Sequence, residues 1–223
     1  MLERLGTKTT REGMARYGIV APKSFGVSMA TLQKIAKQLG KDHALAFELW
    51  DTEWYEARML ATLIAEPERL TAAEMERWCR EFDNWSVVDT ACFYLFDRSP
   101  HAWQKVAAWC RRKDEFVRRA GFVLLACLAL HDKHTADAAF KRHLPLIEKS
   151  ANDDRNFVKK AVSWSLHAIG TRTPELNEKA KAVARRLSES SDPAERWVGK
   201  DALRKLSSAA TQKRFVKTRR QNR

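Results

Sequence analysis

The chain has 223 residues, of which 44% are hydrophobic and 31% charged, so it is long enough and apolar enough to form a folded core rather than a disordered chain. With only 8 Gly and 6 Pro, the composition favours helices over a β-sandwich or barrel. The formal net charge of +13 favours an anionic partner, namely nucleic acid or, less readily, an acidic membrane surface.

Helix signals recur from Ser28 onward, and no stretch alternates in the manner of a strand over more than a few residues. Ser28 can cap a helix that Gly40 ends, and Thr71 with Glu74 has the pattern of a capping box. The helices predicted in the first half are Met29–Leu39, 42–50, Glu53–Ala65, Ala72–Phe82, Asn84–Leu95 and His101–Arg112.

In the second half, Gly170 is the expected stop of one helix, and Asp192 followed by Pro193 opens another. The predicted helices are Glu115–Leu130, Thr135–Lys149, Arg155–Ile169, Pro174–Ser188 and Pro193–Leu206. Short turns between them predict one domain over residues 1–208. Residues 209–223 are predicted to form a basic C-terminal tail that contacts phosphate.

Three segments of the second half repeat one pattern: an aromatic residue, Val, one or two basic positions and then Ala. The aromatic residues are Phe116, Phe157 and Trp197, spaced by 41 and 40 residues, and Trp85 opens a weaker copy. Such a period on helical sequence is typical of a solenoid. We therefore expect an all-α, right-handed-type α-solenoid of antiparallel helix pairs, in which the inner helices present basic residues on a concave face.

The four cysteines and six histidines show no metal-ligand spacing. Each cysteine lies in an apolar helical context, and no signal peptide or apolar run of membrane length is visible, so we expect reduced core cysteines in a cytoplasmic protein. No membrane partner is expected. The lack of an obvious exposed apolar helix favours a monomer, which we expect to be associated with the nucleoid.

Trp85 and Asp89 are four residues apart and share one face of a predicted inner helix. In the later repeats, the corresponding surface carries Arg119, Lys160 and Lys200. A lone carboxylate on a basic face repels the phosphate that the face would bind, so Asp89 is a candidate catalytic residue. The alternative is an Asp that pairs with Arg118 or Arg119 and only sets helix packing.

Trp164 follows Lys160 by four residues and is the second candidate aromatic residue of the site. Most Trp residues of a helical repeat protein belong to its core. Trp164 could instead form an exposed wall against a sugar or a cationic base.

The chain resembles the bacterial DNA alkylation repair family of HEAT-like-repeat alkylpurine DNA glycosylases (AlkD-type) from about Tyr17 to Leu206. The resemblance rests on six segments of the sequence: Ser24-Phe-Gly-Val-Ser-Met29, Leu32-Gln-Lys-Ile-Ala-Lys37, Glu48-Leu-Trp-Asp51, Asn84-Trp-Ser-Val-Val-Asp-Thr90, Phe116-Val-Arg-Arg119 and Lys160-Ala-Val-Ser-Trp164.

By position, the resemblance implies a catalytic carboxylate at Asp89 and cleft aromatics at Trp85 and Trp164. It also implies an arginine at Arg119, with Arg118 as the adjacent candidate, that binds a phosphate near the lesion and balances the charge of Asp89. It also implies hydrolysis of the N-glycosidic bond of cationic N3- or N7-alkylated purines in double-stranded DNA. No metal or organic cofactor is implied. Position in the repeat and charge favour six residues as contacts to DNA phosphates: Arg118, Arg155, Lys159, Lys160, Lys200 and Arg204.

Two other functions fit the same pattern. The first is a non-catalytic DNA- or RNA-binding protein that uses the same basic face. The second is a protein-interaction scaffold, a common use of such repeats, against which the charge of +13 argues.

Overall fold

The structure is a computed structural model that describes residues 1–213 and 215. These residues contain α-helices and one 3₁₀ helix and no strand, so the all-α fold class is confirmed. The helices cluster into two compact units. The N-terminal unit is Met1–Ala108, and the C-terminal unit begins at Trp109. Within the described ranges, none of the helices has the length and apolar content needed to cross a membrane.

The N-terminal unit is built around α5, which packs against α3, α4 and α7. A 3₁₀ helix follows α7 at Phe96–Arg98. The α-helices that begin in this unit are α1 (Leu2–Leu5), α2 (Lys8–Arg16), α3 (Met29–Leu39), α4 (His43–Asp51), α5 (Tyr55–Ile64), α6 (Ala72–Arg80), α7 (Trp85–Tyr94) and α8 (Ala102–Trp109).

The buried carboxylate of Glu56 on α5 holds the loop that precedes α3. It accepts hydrogen bonds from the backbone N–H groups of Phe25, Gly26 and Val27 at 2.7–3.1 Å, and from the Ser24 hydroxyl at 2.8 Å. Four donors around one buried carboxylate compensate for its loss of hydration. This loop therefore owes its conformation to a side chain some 30 residues further along the chain.

The C-terminal unit is built around α12, which packs against α9, α13 and α14, while α13 also packs against α14. Residues 209–213 are helical as well. The longer helices of this unit are α9 (Glu115–His131), α10 (Asp137–Lys141), α11 (Leu144–Lys149), α12 (Asn156–Gly170), α13 (Pro174–Ser188) and α14 (Pro193–Leu206).

Most predicted helix boundaries agree with the structure. The Ser28 cap, the Thr71–Glu74 capping box and the Asp192 cap all form. The single helix predicted at Thr135–Lys149 is wrong, because the chain forms α10 and α11 instead. Pro145 lacks an N–H group, and its ring would clash with the carbonyl of Lys141 in a continuous helix.

Two further predictions need correction. Gly170 is the last residue of α12 rather than the residue that stops it, and Thr171 caps that end. Helices α1 and α2 were not predicted, although Thr7 caps α2 by accepting from the N–H of Thr10. The predicted tail lies partly outside the described residues, at 214 and 216–223.

All four cysteines are buried and free, as expected. Burial raises the pKa of the Cys110 thiol to about 12. In the described part of the chain, no three His, Cys, Asp or Glu side chains come together as a possible metal site.

Candidate nucleic-acid interface

Trp85 and Asp89 lie on α7, one turn apart on one face of the helix. Asn84 sets the start of this helix, because its side-chain oxygen accepts hydrogen bonds from the N–H groups of Ser86 and Val87. Both Trp85 and Asp89 are half-buried. The structure thus places an indole and a carboxylate, each partly open to solvent, next to each other in the first turns of α7.

The segment after α2 fixes the Trp85 indole. The Nε1 of the Trp85 indole donates to the backbone carbonyl of Tyr17 at 2.9 Å. The Tyr17 side chain itself is 72% exposed. The hydroxyls of Tyr55 and Ser86 share a second hydrogen bond, at 2.9 Å, that ties the start of α7 to α5. Burial raises the pKa of Tyr55, so its hydroxyl stays protonated at neutral pH. Neither tyrosine is a predicted site residue.

A cleft of about 310 Å³ lies beside the start of α7 in the same unit. The cleft carries both positive and negative side chains. Lys23 forms an ion pair with Glu53 at 2.5 Å, and Arg58 lies 3.9 Å from Asp83. Arg58 is only 8% exposed and also donates to the carbonyl of Glu81 at 3.1 Å. The cleft is lined by Ala21, Pro22, Lys23, Glu53, Tyr55, Arg58, Asp83, Asn84 and Val87. None of these side chains was a predicted site residue.

The repeated aromatic positions lie next to each other in the C-terminal unit. The rings of Phe116 on α9 and Phe157 on α12 are 5.7 Å apart. The Lys159 ammonium lies 5.3 Å from the centre of the Trp197 ring on α14. The first turns of these three helices are therefore adjacent, and the spacing of about 40 residues seen in the sequence is a spatial repeat.

Hydrogen bonds also join neighbouring repeats, and the residues that they join are about one repeat length apart in the sequence. The Arg119 guanidinium donates to the carbonyl of Phe157 at 2.5 Å, and the Ser163 hydroxyl donates to Asp201 at 2.6 Å, each across 38 residues. Arg155 donates to the carbonyl of Lys113 at 2.6 Å, across 42 residues. Polar side chains thus join α9 to α12 and α12 to α14.

Arg118 and Arg155, two of the predicted phosphate contacts, share the carboxylate of Asp153. Arg155 donates to both of its oxygens, at 2.9 and 2.6 Å, and the Arg118 Nε lies 3.1 Å away. Burial opposes ionisation of this carboxyl, but the hydrogen bonds from Arg155 and the positive charges of Arg155 and Arg118 lower the pKa of Asp153. The three side chains form an ion-pair cluster that fixes the start of α12.

Arg119 is only 5% exposed, whereas the residues at the same position of the next two repeats, Lys160 and Lys200, are exposed. The expected row of three solvated cations therefore contains two. Neither lysine has an ion-pair partner among the described residues, so both ammonium groups are available to an anionic ligand.

Arg204 is exposed but pairs with Asp201 at 2.8 Å, and Lys205 pairs with the same carboxylate at 2.7 Å. Burial opposes ionisation of Asp201, while hydrogen bonds from Lys205, Ser163 and Arg204 lower its pKa. The negative charge of Asp201 is therefore balanced locally.

Trp164 is half-buried on α12, one turn after Lys160. His167 follows on the same helix, and its Nδ1 is buried without a hydrogen-bond partner in the described structure. Burial, followed by repulsion from Lys205, lowers the pKa of His167 to about 4. The imidazole is therefore neutral at physiological pH.

These features belong to an all-helical protein of stacked repeats with a basic surface, and comparison with solved structures supports that class. One structure matches with a TM-score of 0.76 over 90% of each chain at 22% identity. It is described as a new family of proteins related to the HEAT-like repeat DNA glycosylases with affinity for branched DNA structures. The match shows that the chain has the fold of these HEAT-like repeat proteins, an α-solenoid.

The sequence profile of the DNA alkylation repair enzyme family matches residues 1–206. The chain therefore belongs to this family, as the resemblance predicted. No curated protein matches the chain.

Proposed function

We propose that the protein releases cationic N3- or N7-alkylated purines from double-stranded DNA by hydrolysing the N-glycosidic bond. The observation that carries this proposal is the pair on α7. A half-buried carboxylate, Asp89, lies one turn from an indole, Trp85, that is anchored through its Nε1. Membership of the DNA alkylation repair enzyme family supports the reaction class.

The proposed reaction needs only one carboxylate, Asp89, and no general acid. An alkylated purine already carries positive charge, so it leaves as a neutral base when its bond to C1′ breaks. The sugar then develops oxocarbenium character, which a negative carboxylate and the electron-rich face of an indole stabilise. Water adds to C1′ and gives up a proton, which Asp89 can accept before it passes to solvent. The products are the free base and an abasic site.

The C-terminal unit supplies contacts to the DNA backbone in this proposal. Lys160 and Lys200 are exposed and unpaired within the described chain, so they are the strongest candidates for phosphate contacts, followed by Arg204 and Lys159. Arg118 and Arg155 both form ion pairs with Asp153, so in this proposal their main contribution to DNA binding is to fix the start of α12. Trp164 keeps the role of cleft aromatic that the family resemblance implies. Arg119 is buried and donates to the Phe157 carbonyl, so its contact with a phosphate rests on the resemblance alone.

The test is base release from a duplex that contains a single 7-methylguanine. We expect release by the wild type and a loss of about 100-fold or more in Asp89→Asn, with DNA binding retained. Glu48→Gln is the matched control, because Glu48 is an exposed carboxylate on α4 of the same unit. Equal activity of wild type and Asp89→Asn would overturn the role of Asp89.

A second candidate function is DNA binding without base release. It is favoured by the affinity for branched DNA described for the structural relative, and by the exposed lysines of the repeat. Under this alternative, the wild type releases no base above the spontaneous rate, and Asp89→Asn binds DNA as tightly as the wild type or more tightly.

A further inference from the structure

Trp197 differs from the other aromatic residues of the repeat. Phe116 and Phe157 are half-buried and pack against each other, whereas Trp197 is 37% exposed. Among the described residues, only Tyr17 and Trp197 are exposed aromatic side chains. An indole that keeps more than a third of its surface in water at a repeat position forgoes part of the burial that an aromatic side chain can gain.

The groups around Trp197 are cationic. The Lys159 ammonium lies 5.3 Å from the centre of the indole, within the range of a cation–π contact. Lys200 is three residues after Trp197, on the same side of α14, and is exposed. Asp201 is the nearby acid, and Arg204 and Lys205 balance its charge. The indole therefore lies beside the Lys159 ammonium, with the exposed Lys200 on the same side of its helix.

We propose that Trp197, with Lys159 and Lys200, forms a stacking platform for an unpaired nucleobase of DNA. An exposed aromatic face provides stacking that any base can use, and the adjacent ammonium groups suit the phosphates on either side of that base. In an intact duplex, neighbouring bases cover each base face. The platform thus selects DNA with a single-stranded end, a gap or a branch point.

This inference rests on the DNA-binding part of the proposed function and not on base release. The stacking platform also adds recognition of the bases themselves, which phosphate contacts cannot provide. Lys160 and Lys200 bind any backbone, but an exposed indole distinguishes a strand with bases from one without them.

The test compares three fluorescent ligands at one salt concentration: a blunt duplex, the same duplex with a short 3′ overhang, and the same overhang built from abasic residues. Both overhangs carry the same phosphates, so the difference between them isolates base stacking. We expect the wild type to bind the overhang that has bases more tightly than the abasic overhang. Alanine substitution at a stacking aromatic costs roughly 5- to 150-fold, so Trp197→Ala removes the difference.

Two variants complete the test. Trp197→Phe keeps a smaller aromatic face and retains part of the preference. Lys179→Gln removes an exposed lysine from α13 and leaves the preference unchanged. Thermal melting shows whether each variant folds.

The proposal is overturned by a wild type that binds the two overhangs equally, by Trp197→Ala that keeps the preference, or by Trp197→Ala that weakens all three complexes equally. The two proposals fail in different ways. Absence of base release in the 7-methylguanine assay removes the reaction but leaves the overhang result intact. Absence of binding to all three ligands removes DNA binding itself.

Discussion

In the N-terminal unit, a buried side chain holds an irregular loop in place. In the C-terminal unit, neighbouring helices contact each other at positions that repeat about every 40 residues. Glu56 binds the backbone amides of Phe25, Gly26 and Val27. In the C-terminal unit, a Cβ on Gly199 would lie 2.3 Å from the backbone nitrogen of Ser188, so α13 and α14 approach to backbone distance. The first arrangement depends on one charged group and the second on the absence of a side chain.

The two units also differ in the candidate functional groups that they carry. The N-terminal unit carries the single carboxylate candidate, Asp89, on a helix whose start is fixed by capping and by the Tyr55–Ser86 hydrogen bond. The C-terminal unit carries the exposed lysines of the repeat. An irregular unit can present one unique group, while a repeated unit presents the same kind of group several times, which suits a polymeric ligand.

The largest expected effect is that of Glu56→Ala. The substitution removes the carboxylate that accepts from four donors at residues 24–27 and leaves a cavity in the core, so we expect the free energy of unfolding to fall by about 3–5 kcal/mol. Denaturant unfolding measures the loss, and hydrogen exchange should locate it at residues 24–27 and α5. A loss of protection confined to the C-terminal unit would contradict this division of roles between the two units.

The next effect is the pH dependence caused by His167 in the C-terminal unit. The pKa of this imidazole is lowered to about 4 in the folded protein, so the unfolded state, with a pKa near 6.5, takes up a proton first. Stability therefore falls as pH drops from about 6.5 to 4, by at most about 3 kcal/mol. The measurement is the unfolding free energy of wild type minus that of His167→Gln at several pH values.

Groups that do not interact with His167 cancel in that difference, including Asp153, whose lowered pKa also makes acid destabilising. A difference that stays constant from pH 7 to pH 4 would show that folding does not lower the pKa of His167.

Gly199→Ala should cost about 1–3 kcal/mol, because the new methyl group meets the backbone of Ser188 and Ala184 rather than a side chain that can move. Gly13→Ala on α2 is the control, because a Cβ on Gly13 would have no atom within 4 Å. In that exposed helix, alanine should stabilise slightly or have no effect. Thermal unfolding of the two variants distinguishes close helix packing from a general preference for glycine.

The smallest effect concerns DNA affinity. Lys160→Gln combined with Lys200→Gln should weaken duplex binding and reduce the slope of log affinity against log salt by about two. Lys34→Gln combined with Lys37→Gln removes the same charge from exposed positions of α3 in the N-terminal unit. Equal slopes for the two double variants would show that total charge, rather than the repeat positions, governs binding.

The sequence predicted most of the helices because their signals are local. Caps such as Ser28, Thr71 and Asp192 act within one turn, and each forms as expected. The sequence pattern predicts one helix over 135–149, but Pro145 divides this stretch into α10 and α11, and that proline is itself a local signal. The roles of Trp85, Asp89, Arg119 and Trp164 in the reaction stay predictions.

Burial of polar groups could not be predicted from the pattern. Arg119, Lys160 and Lys200 occupy one repeat position, yet the first is buried and bonded to a carbonyl while the other two are exposed. The ion-pair cluster of Arg118, Asp153 and Arg155 joins two helices, and the sequence alone does not show which carboxylate an arginine will meet.

The sequence by itself thus determined the helical class, the period of the repeat and the net positive charge. It also determined that Trp85 and Asp89 lie on one face of a helix. All of these depend on composition or on contacts within a few turns of the chain. Only the tertiary structure decided that Glu56 anchors a loop, that Tyr17 holds Trp85, and that Trp197 alone among the repeated aromatics is exposed. These features arise from groups that are distant in sequence and meet only when helices pack, because packing decides which polar and aromatic side chains lose water and which retain it.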